Sequence, residues 1–201
     1  MLTLFLFSVV VISLSGVMMP GPLFAMAVAK SYKTSVSGAL VALGHAVIEI
    51  PLIFLIYFGW ANFFKLTQLQ ILIGIIGGVI LIYIGINMVR VRGAIVERGK
   101  DSSYGSFAGG IITTAVNPYF FLWWASIGSA LIIKSIVFGL TGFVLFIVTH
   151  WLCDFGWLSG ISLAIHRLHH LWNKKVHRVI FSLCGLLLVG FGIWFISSAV
   201  I

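Results

Sequence analysis

Charged side chains are scarce in this sequence. Of its 201 residues, 8% are charged, whereas an average soluble domain is about 25% charged. Only four residues are acidic, and with twelve lysines and arginines they leave a formal net charge of +8. With 61% hydrophobic residues and a mean hydropathy of +1.20, the composition excludes an ordinary soluble domain. The sequence therefore predicts an integral membrane protein.

Paired cysteines and common catalytic motifs are also missing. The two cysteines, Cys153 and Cys184, lie in apolar runs without CxxC spacing, which excludes a redox pair of that type. The protease and hydrolase signatures HExxH and GxSxG are absent, as is a nucleotide-binding P-loop. We therefore predict a protein that is not an enzyme, has no cofactor or resident metal, and does not use ATP directly.

Long apolar runs make up most of the chain. A membrane-spanning helix needs about 20 mostly apolar residues. The runs are continuously apolar instead of alternating with a period of two, which favours helices over barrel strands. The sequence predicts an all-α polytopic protein of the cell membrane, in contact with the lipid bilayer, with six spans at about 2–28, 36–60, 68–90, 106–132, 136–163 and 177–200.

Basic residues cluster between alternate spans, so their charge follows the membrane topology and does not indicate nucleic-acid binding. The positive-inside rule places connections 1–2, 3–4 and 5–6 in the cytoplasm and both termini outside. The polar stretch 92–105 is predicted to be a cytoplasmic linker. Lys65 and Lys134 fall on the other side, and the ten residues on the cytoplasmic side are Lys30, Lys33, Arg90, Arg92, Arg98, Lys100, Arg167, Lys174, Lys175 and Arg178.

Two ionisable pairs interrupt the apolar runs. His45 and Glu49 lie four residues apart in the second span, and His150 and Asp154 repeat this spacing 105 residues later in the fifth. Residues four apart share one face of a helix. A charged group at the centre of a membrane helix costs roughly 2.5–3.5 kcal/mol, so such groups usually face a bundle interior or a water-filled path. We predict that these four residues belong to a translocation site and favour a proton-coupled cycle.

Proline interrupts the first span at Pro20, Gly21 and Pro22, and the fourth at Asn117 and Pro118. Proline removes a backbone donor, and broken backbone at membrane depth occurs only inside protein or beside a water-lined cavity. A half-helix that begins there directs free N–H groups and a positive dipole end at an anionic substrate group. We predict that these five residues contribute to substrate binding; a kink used only for packing is the alternative.

The two halves of the chain carry the same landmarks in the same order. Each half has a proline break, a Lys-Ser pair, a histidine–carboxylate pair and two glycines seven residues apart. Because each half has three spans, the second must insert upside down relative to the first. We therefore predict one transmembrane domain, 1–201, built as a 3+3 inverted repeat with broken helices 1 and 4, an architecture typical of secondary transporters. Its parts are repeat 1 (1–91), the linker (92–105) and repeat 2 (106–201).

Two other runs are interpreted from their surroundings. The aromatic residues from Tyr119 to Trp124 form either a wall of the substrate site or a belt at the membrane interface, and the interface is favoured. The histidine-rich stretch 166–177 is interpreted as a basic cytoplasmic loop in preference to a metal site.

Several of these features together resemble the lysine exporter family of amino-acid efflux permeases. The matching features are the six short spans, Met19-Pro20-Gly21-Pro22, Tyr83-Ile84-Gly85, Asn117-Pro118 and Asp154. The resemblance implies export of amino acids or small amphiphilic analogues driven by a proton or ion gradient, often by homo-oligomers. It also implies a translocation core formed by Pro20, Gly21, Pro22, Asn117, Pro118 and Asp154. The chain departs from the family pattern at Met19, where serine is usual, and at Tyr119, where lysine is usual.

Two functions remain open on the sequence. The first is an exporter of a small amino-acid-like solute, in which half-helix N-termini hold a carboxylate while Glu49 and Asp154 hold an ammonium group or the coupling proton. The alternative is a divalent metal ion permease that uses His45, Glu49, His150 and Asp154 as mixed nitrogen and oxygen ligands. Glycine seams on the apolar helices permit a homo-oligomer in either case.

Overall fold

The described part of the chain is helical throughout. The computed structural model describes residues 1–19, 21–60, 63, 66–91, 105–171 and 174–200, and these contain no β-strand. This agrees with the predicted all-α class. The α-helices are α1 (Leu2–Val17), α2 (Pro22–Ser31), α3 (Ser37–Tyr57), α4 (Thr67–Val91), α5 (Ser106–Ala115), α6 (Pro118–Trp123), α7 (Ser129–Ile136), α8 (Gly139–Leu168) and α9 (Lys174–Val200).

Two short segments complete this list. A π-helical segment, Trp124–Gly128, joins α6 to α7, and a 3₁₀ turn, His169–Leu171, follows α8. Five helical stretches are long and apolar enough to cross a membrane, and the bent pair α1 and α2 makes a sixth if it counts as one span. α6, the π-helical segment and α7 together form one of the five, Pro118–Ile136, whereas α5 is shorter.

The first predicted break separates α1 from α2. The axes of the two helices differ by 74°. Gly21 precedes α2 in an extended conformation, and Pro22 occupies its first turn, where the missing N–H costs nothing. No side chain caps this end of α2. Pro20 lies outside the described residues.

The second predicted break separates α5 from α6. Asn117 is extended, and its side-chain Oδ1 accepts a hydrogen bond from Tyr119 N at 3.1 Å. Pro118 follows as the first residue of α6. Asparagine and proline therefore end one helix and begin the next by the usual rules of capping. The π-helical segment at Trp124 then changes the direction of the side chains that follow.

Glycines set the distances between the helices. Gly78 of α4 lies against Gly192 O of α9, and Gly192 lies against Gly78 O in return. The same exchange occurs between Gly85 and Gly185. A methyl group at any of these positions would meet backbone closer than 3.0 Å. These four glycines therefore mark points of close contact between α4 and α9.

The contact between α3 and α8 depends on another glycine. Gly38 of α3 lies directly against the backbone carbonyl of Leu158 and the Cβ of Ser162, both on α8. On the next turns of α3, Ala42, His45 and Glu49 are buried as well. This stripe of small and polar residues therefore faces the interior of the bundle and brings α3 close to α8.

Two assignments to connecting loops are wrong. Lys30 lies in the last turn of α2 and is 3% exposed. His166 and Arg167 lie in the last turn of α8, because this helix continues to Leu168 instead of ending near residue 163. Both helices therefore extend beyond the spans predicted from hydropathy, which end near residues 28 and 163. Other predicted features lie outside the described residues, namely Lys65, Arg92, Arg98, Lys100 and all of the 92–105 linker except Gly105.

Substitution of Gly38 by alanine tests the contact between α3 and α8. The added methyl group would overlap the Leu158 carbonyl, and overpacking of this kind costs about 1–3 kcal/mol. We expect Gly38→Ala to unfold at a lower temperature than the wild type in detergent. Gly160→Ala is the matched control, because a methyl group on this exposed glycine of α8 meets nothing within 4 Å. Equal melting temperatures for the two variants would contradict the contact.

Candidate functional site

The contact between α3 and α8 brings the two ionisable pairs into one cluster. His45 and Glu49 come from α3, and His150 and Asp154 come from α8. All four residues are buried, with exposed fractions between 1% and 6%. We call this cluster the tetrad. The two pairs lie 105 residues apart in the sequence but make direct contacts in the fold.

Glu49 is the centre of the tetrad. Its Oε1 lies 2.9 Å from His45 Nε2 and 3.2 Å from His150 Nε2. Asp154 Oδ2 lies farther away, at 3.5 Å from His150 Nε2 and 3.8 Å from His45 Nε2. Each histidine therefore faces both carboxylates, and the contacts cross from one helix to the other.

The second nitrogen of each histidine meets a hydroxyl group. His45 Nδ1 lies 2.9 Å from Thr114 Oγ1 on α5, and His150 Nδ1 lies 2.7 Å from Ser13 Oγ on α1. Both hydroxyl groups are buried. The sequence gives little sign of these partners, because Thr113 and Ser15 are similar residues whose hydroxyls bond only to their own helix. Ser13 and Thr114 are the partners because of how α1 and α5 are rotated about their axes in the fold.

A cavity of about 150 Å³ opens beside the tetrad. All four tetrad residues line it, and so do three residues of the two helix breaks: Gly21, Pro22 and Asn117. Pro118 begins α6 and is not one of the described residues that line the cavity. The structure therefore brings together seven of the nine predicted site residues, while Pro20 lies outside the described part of the chain.

Aromatic side chains form much of the cavity wall. Tyr119, Phe120, Trp123 and Trp124 line it from the segment that contains α6, and Phe120 and Trp124 are buried. The interpretation of this run as an interface belt is therefore wrong for the two buried residues, Phe120 and Trp124. The π-helical segment starts at Trp124, and the helix break lies just before Tyr119, so the run turns inward. Neither the helix break nor the π-helical segment follows from the hydropathy of the run.

The same aromatic run surrounds one of the histidines. The His150 ring stacks on Trp123 with ring centres 5.6 Å apart, and it meets Trp124 edge-on at 5.0 Å. Phe146, one turn earlier in α8, stacks on it at 6.1 Å. His45 has one edge contact, with Phe120 at 5.2 Å. The two histidines therefore share the same carboxylates but not the same surroundings.

Within the described part of the chain, two buried carboxylate oxygens have no hydrogen-bond partner. These are Glu49 Oε2 and Asp154 Oδ2, and both residues line the cavity. Among the described residues, no lysine or arginine lines this cavity. A buried acceptor without a donor is costly, so each of these oxygens requires a water molecule, an ion or a ligand donor beside it. The arrangement favours a cation, such as an ammonium group, over an anion beside Glu49 and Asp154.

The tetrad also contains groups that metal ions use. One ligand atom from each of His45, Glu49 and Asp154 lies within 4.8 Å of the others. However, the Nε2 atom of each histidine is within hydrogen-bond distance of Glu49 Oε1. A metal ligand needs the nitrogen lone pair, and a nitrogen that donates a hydrogen bond does not offer one. The described geometry therefore resembles a hydrogen-bonded network more than a metal centre.

Comparison with known proteins gives one result. The LysE type translocator family matches residues 14–199, which include both helix breaks and the whole tetrad. No curated protein and no solved structure matches the chain. The match covers most of the sequence and agrees with the resemblance found in the motifs. The chain therefore belongs to the LysE type translocator family and is a multi-pass membrane transporter.

Proposed function

We propose that this transporter exports amino acids or similar small solutes that carry an ammonium group, coupled to a proton or ion gradient. The observation that carries the proposal is the pair of unpartnered, buried oxygens of Glu49 and Asp154 beside the cavity. An ammonium group has three donors, and it would supply the hydrogen bonds that these oxygens lack. In this proposal the site residues are the four members of the tetrad and the residues of the two breaks.

The substrate's carboxylate would bind at the N-terminus of α2. Leu23 and Phe24 of its first turn line the same cavity as the tetrad. The first N–H groups of a helix have no partner within the helix, and they favour an anion. No side chain caps α2, whereas Asn117 already accepts a hydrogen bond from the first turn of α6. Among the described residues, a side-chain cap occurs only at the break before α6, so we propose that the break before α2 is the one that holds the anion.

The proposed domain organisation is a single transmembrane unit, 1–201, made of two inverted repeats. Two features of the contacts support it. The α4–α9 contact is reciprocal at two points, since Gly78 and Gly192 each meet the other's carbonyl, and Gly85 and Gly185 do the same. His45 meets the Thr114 hydroxyl of α5, and His150 meets the Ser13 hydroxyl of α1. In the proposed repeat, α1 and α5 both belong to the first span of their half of the chain.

Inverted repeats supply a route for alternating access. The two breaks and the tetrad lie around one cavity between the two halves of the chain. Rocking of one half against the other would open such a cavity to each side of the membrane in turn. We propose that the substrate and the coupling proton both bind at the tetrad during this cycle.

Isosteric substitution of the two carboxylates tests the proposed site. We expect Glu49→Gln and Asp154→Asn to insert into the membrane normally and to lower substrate efflux by at least tenfold, because a buried charged hydrogen bond is worth about 1.5–3 kcal/mol. Efflux would be measured from cells or proteoliposomes loaded with labelled amino acids.

Cys153→Ser is the matched control for Asp154→Asn. Cys153 is the neighbouring residue of α8, and its thiol donates to Thr149 O of its own helix, a bond that serine keeps. Full efflux is expected in this variant. Full efflux in Glu49→Gln or Asp154→Asn would remove that carboxylate from the mechanism.

A ligand screen on the purified protein identifies the substrate. A ligand that binds only the folded state raises its stability by RT ln(1 + [L]/Kd), about 2.7 kcal/mol at a concentration of 100 Kd. We expect at least one amino acid or amine to raise the melting temperature of the wild type but not of Asp154→Asn. Stabilisation by divalent metals alone would instead favour the metal permease.

The proposed orientation places both termini outside the cell. It is tested with single cysteines at two exposed turns, Val36 between α2 and α3 and Val137 between α7 and α8. We expect an impermeant thiol reagent to label Val137→Cys but not Val36→Cys in intact cells, in a background with Cys153→Ser. Labelling of both variants after membrane permeabilisation is the control for reactivity. The opposite pattern in intact cells would invert the orientation.

A further inference from the structure

Thr114 constrains the protons of the tetrad. Its Oγ1 lies 2.7 Å from Gly110 O, four residues earlier in α5, and 2.9 Å from His45 Nδ1. A threonine hydroxyl has one hydrogen to donate, and a backbone carbonyl can only accept. When that hydrogen is donated to Gly110 O, the hydroxyl can only accept from His45. His45 Nδ1 must then carry a hydrogen.

The other nitrogen of His45 needs a second proton. His45 Nε2 lies 2.9 Å from Glu49 Oε1, a distance that requires a hydrogen between the two atoms. A neutral imidazole has one N–H, and His45 already uses it at Nδ1. One further proton must therefore lie between His45 and Glu49, on either the nitrogen or the oxygen. A proton on Glu49 Oε2 would not serve, because that oxygen has no hydrogen-bond partner.

His150 has no such requirement. Its Nδ1 lies 2.7 Å from Ser13 Oγ, and within the described part of the chain this serine hydroxyl makes no other hydrogen bond. Ser13 can therefore donate to Nδ1, which leaves the single N–H of a neutral ring at Nε2. That N–H points to Glu49 Oε1 at 3.2 Å. A neutral His150 thus satisfies both of its nitrogens.

We propose that Thr114 is a positioning residue that holds the His45 proton on Nδ1, so that one extra proton is retained between His45 and Glu49. The pair is then neutral as a whole, and Asp154 carries the single uncompensated negative charge of the tetrad. The site accepts one cation at a time, either the ammonium group of a substrate or a proton. The substrate half of this statement rests on the proposed function, whereas the proton half does not.

The other titratable groups near the tetrad do not change this charge count. Tyr119 of α6 is one of the residues that line the cavity. Cys153 of α8 adjoins Asp154, but its thiol donates to Thr149 O. On α2 the basic residue is Lys30, near the opposite end of the helix from the break, and it is not among the residues that line the cavity. The lining residues from α1, the π-helical segment and α9 are uncharged.

Nitrogen NMR of the protein labelled at its histidine rings tests the proton assignment without any substrate. In the wild type we expect a protonated Nδ1 on His45 and a bare Nδ1 on His150, assigned by the signals lost in His45→Gln and His150→Gln. In Thr114→Val, a residue of the same shape without an acceptor, His45 should lose its Nδ1 proton and keep one on Nε2. Thr114→Ser should restore the wild-type pattern.

Thr113→Val is the matched control. Thr113 is the neighbouring buried threonine of α5, and its hydroxyl bonds to Gly109 O at 2.7 Å, within its own helix. The His45 signals should not change in this variant. A bare Nδ1 on His45 in the wild type, or an unchanged His45 in Thr114→Val, would overturn the inference.

The pH profile of transport or ligand binding separates this inference from the proposed function. If an amino acid binds, its affinity in the wild type should fall as pH decreases, about tenfold per pH unit once protons compete for one site. Thr114→Val should change this profile, and Thr114→Ser should restore it. If no amino acid binds but the NMR pattern is as expected, the proposed cargo is wrong and the proton assignment remains. A profile that Thr114→Val leaves unchanged would overturn the link between Thr114 and the coupling proton.

Discussion

The burial of two carboxylates in membrane-spanning helices is the constraint on which the rest of the structure depends. Each such group costs roughly 2.5–3.5 kcal/mol at the centre of a membrane helix unless the protein satisfies it. Glu49 and Asp154 are buried between α3 and α8, and each of them meets a histidine there. These contacts need α3 and α8 to lie close together, and Gly38 allows this because it packs directly against the Leu158 carbonyl of α8.

The helix breaks follow from the same constraint. Ending α1 at Val17 and restarting at Pro22 places both the end of one helix and the free start of another beside the carboxylates. Unpaired backbone at this depth is tolerated only beside a cavity, and the observed cavity lies at this break. The cavity and the breaks therefore require each other.

Much of this arrangement could be predicted from the sequence, because it depends on residue types that are out of place in an apolar chain. The recurrence of a histidine and a carboxylate four residues apart predicted the residues that meet, and the prolines predicted where the helices break. The inward turn of Trp123 and Trp124 could not be predicted, because it depends on the direction in which α6 restarts after the break at Asn117. Whether Thr113 or Thr114 meets His45 depends on how α5 is rotated about its own axis. The 3.6-residue period indicates which residues share a face but not which neighbour that face meets.

The two halves of the chain agree in the residues of the tetrad and differ in what surrounds them. Thr114 donates its hydrogen within α5, while Ser13 is able to donate to His150. Asn117 caps α6, while α2 begins without a side-chain cap. The tetrad is therefore nearly two-fold in composition but has distinct ends, with the free helix start on one side only. A transporter of an amino-acid-like solute needs this difference, because a solute with an ammonium group at one end and a carboxylate at the other would bind a fully symmetric site in two opposite orientations. If the proposed solute binds as described, the asymmetry around the tetrad leaves one orientation in which its ammonium group and its carboxylate are both satisfied.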